Sequence, residues 1–387
     1  MVEIKIDEVV PITPPAAEIV AGAQNLARHP DGSLWLNTST THPGLLRSSD
    51  SGRTWTAVPV HLPEVPSGQY LAGFTIARDG RLWLVHQVAP AGGGHIFDPL
   101  AFISFSADGA RSWQSRALDY ANLAPGAPED PYASIQIAWC HPNFIEGPDG
   151  SLMLSASMRY DDWGDYLQPD QSRPGIRDVM IRTTDGGETW GDPTIVHQHA
   201  TETAYALDPG DPEHIFAATR IQRKALPGED AEEILKTTGV PYPPDSYIYK
   251  NGLLLESTDG GRAFREVPHG LTWFGAYRHT LLWTTSNVVI ALSYAGQAPG
   301  RNEADNRKIA RVSLNGGRTW VDATGMGTPF FNRAKMLHLD PPHPPEHLYE
   351  VGTTPTVELS ANHFLSVCIY KGEGSLEAVS WHLEGLP

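Results

Sequence analysis

Residues 48–55 have the sequence Ser48-Ser49-Asp50-Ser51-Gly52-Arg53-Thr54-Trp55, and the chain repeats this pattern four more times. The further copies occupy residues 106–113, 183–190, 257–264 and 313–320, with Phe264 in place of the final Trp in the fourth and Asn315 in place of Asp in the fifth. They recur every ~55 to ~80 residues, which is the length of one β-propeller blade with its loops. Copies in register over this distance indicate a repeat fold.

Each position of the pattern has a physical role in a tight turn. Asp and Asn side chains accept hydrogen bonds from backbone amides two residues further on, and they tolerate turn conformations. The glycine positions permit a positive φ, at which a Cβ atom would clash. The final Trp or Phe can pack back across a hairpin as a large anchor. The repeats therefore predict a series of β-hairpins.

The pattern S-x-D-x-G-x-T-W resembles the Asp box of the sialidase-like superfamily of β-propellers, and its copies span nearly the whole chain. The resemblance implies an all-β fold, in which residues 1–387 form a single six-bladed propeller of four-stranded antiparallel blades with Asp-box hairpins. In that superfamily the box joins the two outer strands of a blade, away from the active site. The superfamily includes sialidases, other glycosidases, polysaccharide lyases and non-catalytic binding proteins, so the boxes do not choose a function.

The order of the blades follows from the positions of the repeats. Residues 2–12 alternate like one strand, which is expected to pair into the last blade and so protect the sheet edges. The predicted blades cover about residues 17–60, 69–118, 134–196, 201–267 and 277–322, and the last has strands near 354–359, 364–370 and 376–383. Long insertions at residues 160–177 and 224–245 place the expected working face beside blades 3 and 4, because long loops in a compact fold are often functional.

Composition narrows the class of partner. The formal net charge of −17 disfavours non-specific binding to nucleic acid or to an anionic membrane. No stretch is long and apolar enough to span a membrane, and residues 1–7 lack the apolar core of a signal peptide. We therefore expect a cytoplasmic protein as the sequence stands, or a secreted or periplasmic one if a leader has been removed.

Cys140 and Cys368 are the two cysteines, and they are expected to be separate buried thiols.

Blade 3 carries the first candidate site residues. Pro142, Asp149-Gly150 and Arg159 have the spacing of the sialidase pattern in which an R-I-P strand, a D-G-x-L turn and a strand ending in Arg follow one another. The resemblance implies that Arg159 binds substrate and that Asp161 or Asp162 lies where the catalytic acid would be. We expect Asp162 to protonate the leaving oxygen and Asp161 to contact the substrate.

Blades 4 and 5 add a second group at the ends of inner strands. Glu202 and Arg220 resemble the Glu and the second Arg of a sialidase, although one structural ion pair would explain them equally well. Tyr277 could attack the anomeric carbon with Glu202 as its base, and Arg278 could bind an anion. His279 could contact the substrate, or it could belong to a satisfied polar network. With an acidic glycan as partner, the arginines would hold its carboxylate.

The sialidase pattern is incomplete. Cys140 stands where the first Arg of the R-I-P strand would be, and Tyr370 is followed by Lys371 where a Glu is expected. The leading hypothesis is an exo-acting glycoside hydrolase that acts on a sialic acid or uronate at the central pocket. His141, with His279 and His86, supports an alternative, a polysaccharide lyase or a neutral-sugar hydrolase. A non-catalytic carbohydrate- or protein-binding propeller is the third hypothesis.

One metal motif can be set aside on its sequence. Residues 343–347 match the letters of the H-x-x-E-H zinc motif, but Pro344 and Pro345 disfavour the helix that this motif needs. The glycine-rich residues 91–95 lack the Lys-Ser/Thr end of a phosphate-binding loop. We therefore expect no metal and no cofactor.

Overall fold

Every regular element in the computed structural model is a β-strand, within the part of the chain that it describes. The structure describes residues 2–12, 25–37, 44–62, 65, 69–88, 101–118, 133–136, 144–147, 149–160, 176–198, 200–223, 249–267, 273–274, 276–295, 307–322, 354–370 and 375–385. None of these residues belongs to a helix that could cross a membrane.

The described ranges contain 26 strands, numbered here in chain order. In the first half they are β1 Glu3–Ile12, β2 Asn25–Arg28, β3 Leu34–Asn37, β4 Gly44–Ser48, β5 Thr56–Pro59, β6 Gln69–Ile76, β7 Leu82–Val88, β8 Ala101–Ser106, β9 Gln114–Ala117, β10 Ala133–Gln136, β11 Phe144–Glu146, β12 Leu152–Tyr160 and β13 Ile176–Thr183. In the second half they are β14 Gly191–Gln198, β15 Ala200–Asp208, β16 Asp211–Arg223, β17 Tyr249–Ser257, β18 Arg265–Glu266, β19 Trp273–Phe274, β20 Ala276–Trp283, β21 Val289–Ala295, β22 Arg307–Ser313, β23 Val321–Asp322, β24 Thr356–Ser360, β25 His363–Tyr370 and β26 Ser375–Glu384.

These strands form six antiparallel sheets, and each sheet is one blade of a propeller. From the inside outward, blades 1 to 6 are β2-β3-β4-β5, β6-β7-β8-β9, β10-β12-β13-β14, β15-β16-β17-β18, β20-β21-β22-β23 and β24-β25-β26-β1. In blade 3 the short strand β11 also pairs with β12, and in blade 4 β19 pairs with β17. The predicted all-β, six-bladed propeller with four-stranded antiparallel blades is confirmed.

The two ends of the chain meet in blade 6. Strand β1 pairs antiparallel with β26, from Glu3 opposite Glu384 to Ile12 opposite Leu376. The pairing makes β1 the outermost strand of that blade and closes the ring. The outer edge of β26 is thereby paired with β1 and is not left open.

The hydrophobic core is divided among the interfaces between neighbouring blades. A separate cluster of buried residues fills each of the six interfaces around the ring. Large buried members, in ring order from the interface of blades 1 and 2 to that of blades 6 and 1, are Trp35, Trp83, Met180, Phe216, Trp381 and Leu365. Because side chains of a strand alternate between its two faces, each blade contributes to the core on both sides.

The repeated turns share one hydrogen-bond scheme. The Gly52 amide donates to Ser48 Oγ at 2.9 Å, and the Thr54 amide donates to Asp50 Oδ1 at 2.9 Å. Corresponding amide bonds to the first hydroxyl occur in the other four copies. Donation from the Thr54 hydroxyl and amide lowers the pKa of Asp50 to about 2. The polar positions of the pattern therefore hold the turn together.

In four of the five turns, the glycine at the fifth position of the repeat lets the turn pack onto the preceding blade, whereas the second turn has Ala110 there. Gly187, at φ +88°, lies against the buried ring of Trp83 in blade 2, and a Cβ at this position would be 2.7 Å from that ring. Gly52 and Gly317 contact Leu365 and Phe216 of their preceding blades in the same way. The repeat thus joins neighbouring blades as well as neighbouring strands.

The turns lie at one end of the blades, and the candidate site residues lie at the other. In blade 1, Ser48 at the turn is opposite Leu34, whereas Asn37 and Leu45 pair at the far end. Arg159, Arg220 and Arg278 are near the ends of β12, β16 and β20 that are remote from the turns. First strands of neighbouring blades lie next to one another around the ring, so these strand ends surround its centre.

Candidate functional site

A Glu–Arg pair lies at the far end of blade 4. Arg220, near the end of β16, donates through Nη1 to Oε2 of Glu202, near the start of β15, at 2.9 Å. The Arg220 and Glu202 side chains are 13% and 16% exposed. A charge-assisted hydrogen bond of this kind, shielded from most of the solvent, holds the carboxylate in a defined orientation. The structure therefore brings together two of the residues that the sequence singled out.

The backbone at Glu202 has an uncommon conformation. Thr201 pairs with Arg220 and Ala204 pairs with Ala218, so that Glu202 and Thr203 together face the single residue Thr219. Glu202 has a φ of +56°, in the left-handed region that residues other than glycine seldom occupy. A bulge of this kind redirects a side chain, and strained backbone conformations concentrate at functional sites.

A buried carboxylate lies beside this pair, at the interface of blades 3 and 4. Asp178 is fully buried and accepts hydrogen bonds from Ser155 Oγ at 2.8 Å and from the Tyr205 hydroxyl at 3.0 Å. The bulged residue Thr203 shares a 2.7 Å hydrogen bond with Thr219, and its hydroxyl favours the ionised form of Asp178. The network therefore links the bulge to the strands of blade 3.

Burial controls the protonation of this network. Desolvation raises the pKa of Asp178 to about 6, although the surrounding hydroxyls favour the carboxylate. The pKa of Tyr205 is raised well above its usual value, first by burial and then by the charge of Asp178. The sequence analysis did not single out Asp178 or Tyr205. The available signal was one acidic residue directly before the apolar residues Val179, Met180 and Ile181 of β13.

Blade 5 has a second bulge at the equivalent end. Tyr277 pairs with Tyr294 and Thr280 pairs with Leu292, so the intervening Arg278 and His279 face a single residue. His279 is fully buried, with its Nδ1 2.6 Å from Ser293 Oγ. His279 therefore has a polar partner on the neighbouring strand β21. The side chains of Tyr277 and Arg278 lie outside the described part of the structure.

At the end remote from the repeated turns, the structure describes only part of blade 3. The backbone of Arg159 lies in β12 between Ser134 and Ile176, and its side chain is not among the described ones. His141, Asp161 and Asp162 lie outside the described residues, as does Cys140. Two short strands of this blade, β10 and β11, both pair with β12. The segment that contains His141 connects these two strands.

His86 is the remaining histidine of the sequence hypotheses. It is fully buried in β7, and neither ring nitrogen has a hydrogen-bond partner among the described residues. Desolvation lowers the pKa of His86 to about 3, so the ring is neutral at physiological pH. Cys368 is buried in β25. Residues 343–347, which the sequence analysis set aside as a zinc motif, lie outside the described residues.

Comparisons with solved structures identify proteins that have a similar fold. No protein-family model matches the chain, and no curated protein matches it by sequence. A protein of unknown function from Dyadobacter fermentans matches with a TM-score of 0.59 at 15% identity, over 98% of this chain and 99% of that one. The α-L-arabinofuranosidase Arb93A of Fusarium graminearum matches with a TM-score of 0.59 at 13% identity, over 97% and 98%. The Hadza microbial sialidase Hz136 matches with a TM-score of 0.57 at 14% identity, over 94% of this chain and 66% of the sialidase.

The chain has the sialidase-like six-bladed β-propeller fold. The superfamily resemblance that the repeats carry is thereby confirmed at the level of the fold. The structural neighbours named for an activity are glycoside hydrolases. At these identities, the likeness shows the fold and does not transfer an activity.

Proposed function

We propose that this propeller is an exo-acting glycoside hydrolase that removes a terminal acidic sugar at the centre of the ring. The Glu202–Arg220 pair carries the proposal: a shielded carboxylate, held at 2.9 Å by a guanidinium, on a strained bulge at the end of the blades remote from the repeated turns. The hydrolase activities of the neighbours over nearly the whole chain support it.

The proposed reaction proceeds by double displacement. Glu202 accepts the phenolic proton of Tyr277 as the Tyr277 oxygen attacks the anomeric carbon, and Asp162 donates a proton to the departing glycosidic oxygen. Water then cleaves the glycosyl–tyrosine bond: Asp162 accepts a proton from the attacking water, and Glu202 returns its proton to the departing phenol oxygen. A base and the nucleophile that it activates must be neighbours. The backbones of Glu202 and Tyr277 lie in the first strands of adjacent blades, which supports these two roles.

Binding of an acidic sugar would rest on the arginines. Arg159, Arg220 and Arg278 come from three consecutive blades, each near the strand end remote from the turns. Guanidinium groups bind carboxylates through paired, charge-assisted hydrogen bonds. Asp161 and His279 are proposed as further substrate contacts, and His141 as an additional proton donor or acceptor.

A neutral arabinose-containing oligosaccharide is the second candidate substrate. The match to the arabinofuranosidase covers nearly all of both chains, whereas the matched sialidase extends well beyond the aligned part. Cys140 also replaces the first arginine of the sialidase pattern. In this version Arg220 orients Glu202, and the substrate carboxylate is absent.

Release of free sugar from a defined panel tests the proposal. The panel contains sialosides, uronate-containing oligosaccharides, arabinobiose and other neutral glycans, with products identified by mass spectrometry. We expect turnover of one class and its loss in Glu202→Gln. Glu188→Gln is the matched control, because Glu188 pairs with Arg116 at a repeated turn, and it should retain full activity.

The other outcomes separate the remaining hypotheses. Turnover of arabinobiose but of no acidic glycan would establish the second candidate. An unsaturated uronate product that absorbs in the ultraviolet would replace hydrolysis with elimination. No turnover of any substrate by the folded protein would contradict an enzymatic role and favour a binding propeller.

A further inference from the structure

Three side chains that can bind a metal ion lie together on blade 6, at the end of the ring that carries the repeated turns. They are Asp7 of β1, His363 of β25 and His382 of β26, and their ligand atoms lie within 4.8 Å of one another. His363 is directly opposite His382 in the strand register. Asp7 and His382 are 375 residues apart in sequence, so only closure of the ring brings the three together.

A bulge in β1 places Asp7 beside the histidines. Ile6 pairs with Trp381 and Glu8 pairs with Ser380, so that Asp7 is the extra residue between them. A bulge of this type redirects the side chain of the extra residue. Nδ1 of His382 is 2.7 Å from Oδ1 of Asp7, which shows that the carboxylate reaches the imidazole.

The cluster faces a cleft that metal ions can enter from solvent. Phe364 and Trp381 pack into the interface with blade 5, so His363 and His382, their neighbours in sequence, point to the opposite face. A cleft of about 710 Å³ lies there, and its lining includes Asp7, His363 and Arg53 of the first repeated turn. The Asp7 and His382 side chains are 37% and 26% exposed.

The surrounding contacts leave room for an ion. The rings of His363 and His382 are tilted, with centroids 5.5 Å apart. Glu384 Oε1 is 3.7 Å from His382 Nε2, and the charge of Glu384 is partly compensated by Lys5, whose Nζ is 3.6 Å from Glu384 Oε2. Arg53 Nε is 3.1 Å from Glu8 Oε2, so the guanidinium that lines the cleft is already paired with a carboxylate.

The ligand set determines which ions fit. Two imidazoles and one carboxylate suit borderline first-row ions such as Zn²⁺, Ni²⁺ and Cu²⁺, whereas Mg²⁺ and Ca²⁺ prefer oxygen ligands alone. Bonds of about 2.0–2.1 Å would require the three ligand atoms to close to roughly 3–3.5 Å, which side-chain rotation at a surface allows. Water entering from the cleft would complete a tetrahedral shell.

We propose that Asp7, His363 and His382 form a site for a divalent transition-metal ion, with Zn²⁺ as the best-fitting ion, that fastens β1 to the last blade. The ligands come from three adjacent strands, one of which is the N-terminal strand that closes the ring. An ion that binds only the closed ring stabilises it by mass action. This site is independent of the axial residues and of any catalytic activity.

The test measures zinc binding by the full-length protein after removal of metal with a chelator. Competition with a metal-indicator dye gives the stoichiometry and the dissociation constant, and thermal unfolding gives the stabilisation. We expect one zinc ion per chain, no displacement by excess Mg²⁺, and a rise in Tm of about 3 °C when free zinc is about 100-fold above the dissociation constant. Cobalt should produce visible absorption bands when it occupies the site.

Single substitutions locate the ion. Asp7→Asn, His363→Asn and His382→Asn should each weaken zinc binding by about tenfold or more, which reduces the rise in Tm at the same free zinc to about half or less. His197→Asn is the matched control, because His197 is a partly exposed histidine paired with Glu266 and lies outside the cluster. His347→Asn controls for the H-x-x-E-H segment, and both controls should bind zinc like the unmodified chain.

Three results would overturn the proposal. The first is the absence of zinc binding by the unmodified protein. The second is zinc binding that survives each of the three substitutions, and the third is zinc binding that is lost in His347→Asn. Circular dichroism and the Tm of the metal-free variants separate lost binding from lost folding, and the exposed residue Asp7 provides the substitution least able to disturb the core.

Discussion

Glu202 Oε2 and Arg220 Nη1 meet at 2.9 Å because the strand that carries Glu202 contains one residue more than its partner. The extra residue places Thr203 opposite Thr219, where the two hydroxyls are 2.7 Å apart. Glu202 is left in the left-handed conformation, with its carboxylate next to the guanidinium. The ion pair and the backbone strain are therefore two consequences of one bulge, and each can be tested separately.

Replacement of Arg220 by Lys should lower kcat/KM on the substrate identified from the panel by about tenfold or more. Lysine keeps the positive charge but loses the planar donor that orients Glu202, and a hydrogen bond to a charged group contributes about 1.5–3 kcal/mol. Arg116→Lys changes a more exposed arginine paired with Glu188 at a repeated turn, and it should leave kcat/KM unchanged. Equal kinetics for the two variants would remove Arg220 from the proposed site.

Backbone strain at Glu202 should reverse the usual order of alanine and glycine. Both Glu202→Ala and Glu202→Gly lose the carboxylate, but only alanine keeps a Cβ at φ +56°. We expect the glycine variant to have the higher free energy of unfolding, by about 1 kcal/mol, in urea titrations.

The same pair of substitutions at Glu256 supplies the control. Glu256 lies in the regular pairing of β17 with β16, where glycine should be less stable than alanine by roughly 0.5–1 kcal/mol. The same order of stability at both positions would show that the Glu202 backbone is not strained.

The fold could be predicted from the repeats because each repeat contains all of its own turn chemistry. The hydroxyl, the carboxylate and the glycine of residues 48–52 interact within a few residues of sequence, so the pattern is visible in the chain itself. The alternation of residues 2–12 indicated a strand, and its pairing into the last blade was expected from the resemblance to propellers, which often close their ring in this way. The packing of Gly187 on Trp83 of the preceding blade was not visible, because these residues are far apart in sequence.

The steric role of the turn glycines gives a third prediction. Gly187→Ala introduces a Cβ at φ +88° that would be 2.7 Å from the buried Trp83 ring, so we expect a loss of about 3 kcal/mol in the free energy of unfolding. Gly260→Ala has the same backbone problem at φ +68° but meets nothing within 4 Å. Its loss should be only about 1 kcal/mol, as measured by urea unfolding. A loss equal to that of Gly187→Ala would exclude contact with Trp83 as the cause.

The site was less predictable than the fold for two physical reasons. Sequence patterns located Glu202 and Arg220 at strand ends, but the bulge that joins them adds a residue without leaving a signal in the alternation of β15. Asp178 lies inside a buried strand, where periodicity predicts an apolar side chain. Its partners Ser155 and Tyr205 come from two different blades, and no local pattern relates them.

Asp178 should make the stability of the propeller fall as the pH rises from about 4 to about 6. Burial raises its pKa in the folded protein to about 6, from an ordinary value of 3.8. Within this window the folded state retains a proton that the unfolded state has lost, so each rise in pH favours unfolding. The penalty is absent below about pH 4, complete above about pH 6, and amounts to about 3 kcal/mol.

Asp178→Asn removes this titration while it retains an oxygen that can accept the Ser155 bond. Urea unfolding at pH 4, 5, 6 and 7 should therefore show the wild type losing about 3 kcal/mol relative to the variant as the pH rises. Asp50→Asn is the control, because the pKa of Asp50 is lowered to about 2 by its turn partners. Asp50 is ionised in both states across most of this range, so the difference between the wild type and Asp50→Asn should stay nearly constant. A constant difference for Asp178→Asn as well would show that the buried carboxylate does not titrate in this window.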